Sequence, residues 1–403
     1  MTFQIAISGL EAARKNLNVT SENIANSNTT GFKSSYAQFS DLVTSGAISS
    51  ANNDTAGVRV ASVAQSFSQG SLTSTENPLD LAIGGNGFFR TVDTGSGDVM
   101  YTRAGQFSAD AQGYVVNPAG QRLSSFVTGP DGSRSESITD MRIDDSELAP
   151  QASANITTGI NLEAGADIPT AAFDPADADS YNHSSVISVF DSLGVEHTAT
   201  QYFRKTAAGE WDYHLAVDGT EAGTATPLTF DSAGNLTAPA DGLVAKGPIA
   251  LGNGADDLNL EIDLGDSTQF DGSFSIHALE QDGYTSGQLT GISVDQDGMV
   301  NARYSNGETR TQGQVVLADF ANPDGLQRVG ENSWIETVDS GVATLGAANT
   351  GRFGDISAGA LEESNVELSA ELVNLISAQR MFQANAQSIS AADTLTQTLL
   401  NMG

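Results

Sequence analysis

The side chains best suited to acid–base chemistry lie in the middle of this 403-residue chain, in no arrangement typical of a catalytic site. No His-Glu-x-x-His spacing and no nucleophile elbow occurs. The histidines are His183, His197, His214 and His277. His197 and His214 fall in alternating strand patterns, which predicts surface positions. The sequence therefore predicts no catalytic residue and no cofactor, although abundant carboxylates keep a secreted β-rich hydrolase as an alternative.

Two acidic clusters and one glycine run are the other candidates for binding chemistry. The carboxylates are Asp174, Asp177 and Asp179 in one cluster, and Asp295 and Asp297 before Gly298 in the other. Oxygen ligands of this kind suit a hard cation such as Ca²⁺, but neither cluster completes a twelve-residue calcium loop with its terminal Glu. Solvated turns, and no metal site, are predicted. Residues 84–87 lack the strand-helix context and following Lys of a phosphate loop, so they also predict a turn.

The net charge is strongly negative, with 50 acidic residues against 17 basic ones. A charge of −33 repels nucleic acid and anionic lipid, so neither is an expected partner. Cysteine is absent, which excludes disulfides and suits a protein exported unfolded. The N-terminus lacks the features of a cleaved signal peptide, and no stretch approaches the length of a membrane span. Export, if it occurs, is expected to keep the N-terminus.

Apolar residues recur every seven positions near both ends of the chain. Such a repeat places one apolar stripe on a helix, and that stripe must be buried against another helix. Helices are predicted over about residues 3–26 and from about residue 361, with Ser364 and Glu367 as a capping box. The predicted assembly seam comprises Phe3, Leu10, Leu17, Ile24, Leu361, Leu368, Leu372, Leu375, Phe382 and Ile389. A helical hairpin within one chain would leave much of this apolar stripe exposed to solvent. Burial of the stripe between copies of the chain is therefore favoured over that alternative.

Strand and turn signals fill the region between these helices. Residues 211–217 and 258–264 alternate between apolar and polar side chains, and Asn306-Gly307 is a strong hairpin signal. The predicted fold class is multidomain, with paired, coiled-coil-like terminal α-helices and two nested, mainly antiparallel β domains. The predicted domains are a helical assembly domain of 1–32 plus 362–403, a loose connector of 33–70, an inner β domain of 71–145 plus 285–361, and an inserted acidic outer β domain of 146–284.

Short motifs at both ends and in the first β region resemble those of the bacterial flagellar rod and hook axial proteins. The N-terminal motifs are Ser8-Gly9-Leu10, Asn23-Ile24-Ala25-Asn26 and Thr30-Gly31-Phe32-Lys33. The β motifs are Leu79-Asp80-Leu81-Ala82-Ile83 and Tyr101-Thr102-Arg103-Ala104-Gly105-Gln106-Phe107. The C-terminal motifs are Glu371-Leu372-Val373-Asn374, Ala378-Gln379-Arg380 and Asn385-Ala386-Gln387. Together they cover both ends and the predicted inner β domain.

The resemblance implies a structural subunit that polymerises into a tube. The large insertion, with Asp179-Ser180-Tyr181-Asn182 and Gly283-Tyr284, resembles the hook members of the family, and the distal rod protein is the alternative. A hook subunit would form a flexible universal joint that passes motor torque to the filament. The implied partners are many copies of itself, the distal rod protein, the hook cap, the hook–filament junction proteins and the flagellar type III export apparatus. The implied location is extracellular, in the hook and basal body.

A short motif in the connector resembles a proposed export-recognition pattern of hook-type substrates. Phe39 is followed four residues later by Val43, and the two are the candidate recognition residues. An ordinary hydrophobic pair that packs the connector is an equal alternative.

Overall fold

Two α-helices flank a body of β-strands in the part of the chain that the structure describes. The computed structural model describes residues 2–43, 55–129 and 133–402. Helix α1 spans Thr2–Ala25 and α2 spans Leu368–Met402. Terminal helices with a mainly antiparallel β body confirm that part of the predicted fold class. Neither helix, in its described residues, is long and apolar enough to span a bilayer.

The strands of the described residues are numbered in chain order. The first ten are Ser35–Val43 (β1), Thr55–Gln65 (β2), Leu72–Ser74 (β3), Leu81–Gly84 (β4), Phe88–Val92 (β5), Val99–Thr102 (β6), Ser108–Ala109 (β7), Val115–Val116 (β8), Arg122–Thr128 (β9) and Arg134–Asp140 (β10). The next eleven are Asn155–Glu163 (β11), His183–Phe190 (β12), Glu196–Ala207 (β13), Glu210–Val217 (β14), Thr220–Glu221 (β15), Thr226–Phe230 (β16), Leu236–Ala238 (β17), Leu243–Ile249 (β18), Leu258–Asp263 (β19), Thr268–Phe270 (β20) and Ser275–Gln281 (β21). The last are Leu289–Val294 (β22), Met299–Tyr304 (β23), Thr309–Val315 (β24), Leu317–Asp319 (β25), Gln327–Gly330 (β26), Ser333–Ile335 (β27), Thr344–Gly346 (β28), Asp355–Ala358 (β29) and Ala360–Glu362 (β30).

The chain divides into two compact units. The first unit comprises Met1–Asp144, Gly291–Ala302 and Thr309–Gly403, and the second comprises Asp145–Thr290 and Arg303–Glu308. In the first unit a large sheet runs in the order β22-β23-β24-β9-β5-β6-β27-β26. Its core is aromatic: the rings of Phe88 and Trp334 meet edge to face with centroids 5.8 Å apart, and those of Tyr101 and Phe320 at 4.8 Å. Such pairs add to the stabilisation from buried area.

The second unit contains a sheet ordered β12-β13-β14-β16-β17 and another ordered β18-β19-β11-β20, with one apolar core that draws on both. Strand β19 alternates buried and exposed residues as predicted. Strand β14 does not, because His214 and Ala216, expected on its wet face, are buried. The ring of Phe173 covers His214, on which it stacks with centroids 3.6 Å apart.

Two predicted elements are wrong. The last helix begins at Leu368 rather than near Leu361, because residues 360–362 form β30 and pair with β3. The Ser364 hydroxyl accepts a bond from Val366 N and does not cap α2. The described part of the connector is not loose either: β1 and β2 form an antiparallel ladder from Ser35↔Gln65 to Val43↔Thr55. The four-part domain division remains a prediction.

Candidate assembly interface

The terminal helices pack against each other in antiparallel fashion. Gly9 lies beside Asn385, and the Asn23 amide donates to the Glu371 carboxylate at 3.3 Å. Residues near the start of α1 therefore lie beside residues late in α2, and residues near the end of α1 lie beside residues early in α2. A Cβ on Gly9 would lie 2.9 Å from Nδ2 of Asn385, so the missing side chain permits this close approach.

The buried face of α1 contains a row of small side chains together with Val19 and Asn23, rather than the large members of the predicted seam. Ala6, Ala13 and Thr20, spaced seven residues apart, are all buried. Of the predicted seam residues on this helix, Leu10, Leu17 and Ile24 are partly buried and Phe3 is exposed. The seven-residue period is thus present, with its small-residue row turned inward.

The seam residues predicted for the C-terminal helix are divided between partly buried and exposed positions. Leu375, Phe382 and Ile389 are partly buried, and Ala378 between them is fully buried. Leu368 and Leu372 are exposed. Leu361 is partly buried in β30 and does not belong to the helix. Whether these residues act in assembly stays a prediction.

An apolar row on α2 faces solvent, and two of its residues lie outside the predicted seam. Val373 and Ile376 are 66% and 50% exposed, and they continue the face that begins with Leu368 and Leu372. Spacings of three and four residues place these side chains on one side of a helix. The sequence signal was available, because helical spacing of three and four holds for this row as well as for the predicted seam. Exposed apolar rows of this kind mark surfaces that another molecule covers.

An apolar groove lies where the helix pair meets the hairpin of β1 and β2. It has a volume of about 290 Å³ and is lined by Gly9, Ala12, Ala13, Asn16, Phe39, Val58, Met381 and Asn385. The Ser8 hydroxyl accepts a hydrogen bond from Val58 N at 3.2 Å, which attaches the hairpin to α1. Phe39, one of the two candidate recognition residues, lines this groove and is exposed. Val43, the other candidate recognition residue, ends β1, and its side chain lies outside the described part of the structure.

A buried ionic cluster, here called the clasp (Lys33, Arg103 and Glu362), ties the segments next to both helices to the β body. The Glu362 carboxylate accepts from Lys33 Nζ at 2.6 Å, from Arg103 at 3.3 Å and from Gly70 N at 2.9 Å. Each cation also donates to a backbone carbonyl, and for Arg103 this is the carbonyl of Gly85 in the turn that follows β4. All three side chains are almost completely buried. Sequence spacing gave no sign of this cluster.

The clasp places two cations beside one carboxylate in a dry environment. Burial lowers the pKa of Lys33 and that of Arg103, and the attraction of Glu362 opposes both shifts. Each charge is tolerable only because its partners are in place, since an unpaired buried charge is strongly unfavourable. Around the clasp, Asn365 bonds to Ser34 N and to the carbonyl of Ser66. The helices therefore leave the body from a fixed point.

His197 and the two acidic clusters, which were considered for catalysis or metal binding, are used in local structure. His197, expected at the surface, is buried: its Nδ1 lies 2.7 Å from Asp218 and its Nε2 lies 3.2 Å from Asp191. Burial alone would lower the pKa of His197, but its hydrogen bonds to these carboxylates raise that pKa overall.

The two acidic clusters close their own turns. The Asp177 carboxylate accepts from Asp179 N, and the Asp295 carboxylate accepts from Asp297 N. Carboxylates used in this way stabilise the turn that carries them, as Asp side chains commonly do. Among the described residues, no group of three or more His, Asp or Glu could hold a metal ion.

Comparisons with known proteins place these features in one family. Family models match residues 3–33 (Flagella basal body rod protein), 82–146 (Flagellar hook protein FlgE/F/G D1 domain), 161–284 (Flagellar basal body protein FlaE D2 domain) and 357–402 (Flagellar basal body rod FlgEFG protein C-terminal). The crystal structure of Helicobacter pylori flagellar hook protein FlgE2 covers 72% of this chain and all of its own, with a TM-score of 0.56 at 15% identity. That likeness concerns the fold.

Full-length relatives establish the family. The flagellar hook protein FlgE of Escherichia coli K12 is 41% identical over 413 residues, and that of Salmonella typhimurium LT2 is 39% identical over 412, each with complete coverage of both chains. The Borreliella burgdorferi FlgE is 32% identical and covers 98% of this chain and of its own. At this identity, sustained from one terminus to the other, the chain belongs to the flagellar hook protein FlgE family.

Proposed function

We propose that this chain is the structural subunit of a bacterial flagellar hook and is not an enzyme. The chain-wide identity with FlgE hook proteins carries the proposal and favours it over the distal rod protein of the same axial family. In the hook, the subunit forms a tubular, flexible universal joint that passes motor torque to the filament. A hydrolase is disfavoured because His197 is engaged with two carboxylates and the carboxylates of the two acidic clusters close their own turns.

Polymerisation would use the apolar faces of the terminal helices. The helix pair of each copy is coiled-coil-like, with a seven-residue period along both members. The exposed row of Leu368, Leu372, Val373 and Ile376 then meets a neighbouring copy, together with Phe3 of the predicted seam. Burying this row would release apolar surface from water at every repeat of the tube, which favours assembly.

The wider arrangement also follows from the hook assignment. The four predicted domains become an inner helical tube, a connector, an inner β domain and an acidic outer β domain, and the second compact unit is consistent with an insertion. We propose export through the flagellar type III apparatus without a cleaved signal peptide. Phe39 and Val43 are the candidate recognition residues. The distal rod protein, hook cap and hook–filament junction proteins would be its neighbours, with no role for nucleic acid or membrane insertion.

The test is complementation of a strain that lacks its own hook protein. The full chain should restore hooks, seen by electron microscopy of isolated basal bodies, and should restore swimming. A variant without residues 146–284 should still form a tube but with altered curvature or stiffness. A variant without residues 368–402 should be the matched negative control and form no tube. Basal bodies that end at the rod in cells expressing and exporting the full chain would contradict the proposal.

A further inference from the structure

One loop of the first compact unit displays two valines to solvent. Of the large apolar side chains that the structure describes, Val338 and Val342 are the most exposed, at 100% and 83%. The loop follows β27 and leads into β28. It lies on the β body and is separate in sequence from the helix pair and hairpin that form the candidate assembly interface.

Internal hydrogen bonds hold this loop in place. The Thr337 hydroxyl donates to Gly325 O at 2.6 Å, and Thr337 N donates to the Ser340 hydroxyl at 2.9 Å. The Asn322 amide donates to Asp339 O at 2.9 Å, and Ser340 is fully buried. A Cβ on Gly325 would lie 2.4 Å from Ser340 N, so the loop packs directly on the backbone beneath it. The two valines are therefore exposed on a loop whose backbone is held by hydrogen bonds and packing.

The order of this loop bears on how favourably the exposed valines could bind a partner. A mobile loop loses conformational entropy when binding orders it, and a loop that is already ordered avoids most of that loss. Apolar side chains presented in this way gain from burial as soon as a complementary surface meets them. The valines protrude and line none of the cavities described above, so the surface fits a macromolecular partner rather than a small ligand.

The neighbouring charges narrow the choice of partner. Glu336 and Asp339 flank Val338, which disfavours an anionic lipid surface. A second copy of this chain is the partner supported by the hook assignment, because a tubular homopolymer surrounds each subunit with copies of itself. Copies that each carry a net charge of −33 repel one another. Apolar contacts between copies offset this repulsion, because they bring no further charges together. We propose that Val338 and Val342 dock on a different surface of a neighbouring copy, as a head-to-tail contact of the polymer that acts in addition to the helix faces.

This proposal rests on the proposed homopolymer, and the symmetry of the contact makes it testable. A contact between unlike surfaces continues from copy to copy, whereas a contact between like surfaces stops at a pair. The chain has no cysteine, so Val338→Cys introduces one addressable thiol. The purified monomer of this variant is labelled with a photoreactive maleimide, assembled into tubes, irradiated and then dissociated in detergent. We expect a ladder of dimers, trimers and larger multimers, identified as this chain by mass spectrometry.

Val329→Cys is the matched control, because this valine is exposed on β26 of the same unit. Its cross-linking should be weaker. The purified double variant Val338→Ser plus Val342→Ser should fold normally and raise the critical concentration for assembly about tenfold. The proposal would be overturned by dimers alone, by products with another protein, or by a cross-linking yield in normal hooks no higher than that of Val329→Cys. Each of these outcomes would leave the proposed function standing. Absence of hooks from the unmodified chain would instead contradict the proposed function.

Discussion

Lys33 and Glu362 are separated by 329 residues in sequence, and their charged atoms lie 2.6 Å apart in a fully buried ion pair. Lys33 stands eight residues after α1 ends, and Glu362 six residues before α2 begins. The pair therefore links the two chain segments that connect the helices to the β body. In the proposed assembly, where the terminal helices form the inner tube, torque that passes from this tube to the β body crosses this link.

Removal of the shared carboxylate should be the most damaging single change in the clasp. Glu362→Gln leaves Lys33 and Arg103 buried without a counter-charge, so we expect a loss of about 3–5 kcal/mol in the free energy of unfolding. Lys33→Met should be milder, because Arg103 and Glu362 then remain as a balanced pair and one buried charge is gone. Urea titrations of the purified chain would measure both.

Glu363→Gln is the control for this comparison, since Glu363 is the adjacent residue and is exposed. It should change the free energy of unfolding by less than about 0.5 kcal/mol. Equal losses for Glu362→Gln and Glu363→Gln would show that the clasp does not stabilise the joint.

Neighbouring residues on α2 should separate folding from assembly. Ile376 is half exposed, so Ile376→Asp should leave the monomer folded and abolish tube formation, because assembly would bury an unpaired carboxylate at every copy. Leu375 is less exposed, on the side that carries Ala378, so Leu375→Asp should already weaken the helix pair in the monomer. Circular dichroism of monomers and electron microscopy of assembled material would distinguish the two effects.

Ser377→Asp adds the same charge at the next exposed position and serves as the control. Tubes that form normally from Ile376→Asp would exclude the exposed row of α2 from the assembly interface.

The stability of the second compact unit should depend on pH through His197. The folded state raises the pKa of this histidine above its ordinary value of 6.5, so the folded protein binds the proton more tightly than the unfolded chain. The resulting stabilisation is fully present below about pH 6.5 and is lost as the pH rises through the folded pKa. Urea titrations between about pH 5 and 8 should show this decline.

The variant His197→Gln should remove that part of the pH dependence, whereas His277→Gln, at an exposed position, should retain it. A decline in the stability of His197→Gln as steep as that of the unmodified chain would assign the effect to other groups.

The sequence predicted local features of the fold well and long-range ones poorly. The seven-residue period is a property of consecutive residues, so the existence of both helices followed from it. The start of α2 did not, because Leu361 joins a strand through pairing with β3, almost 290 residues away. The burial of His214 depends on Phe173, which lies 41 residues earlier in the chain. No periodicity encodes such contacts, and the clasp was invisible for the same reason.

The contact between Gly9 and Asn385 gives a last prediction, which concerns how tightly the helices pack. In a helix, alanine is favoured over glycine by about 0.5–1 kcal/mol. Gly9→Ala alone should gain little or lose stability, because its Cβ would approach Nδ2 of Asn385 to 2.9 Å and force that side chain to move. In an Asn385→Ala background this obstacle is gone, so the same substitution should stabilise the chain. A double-mutant cycle of thermal unfolding measures the coupling, and equal effects of Gly9→Ala in both backgrounds would show that the helices are not in contact at this position.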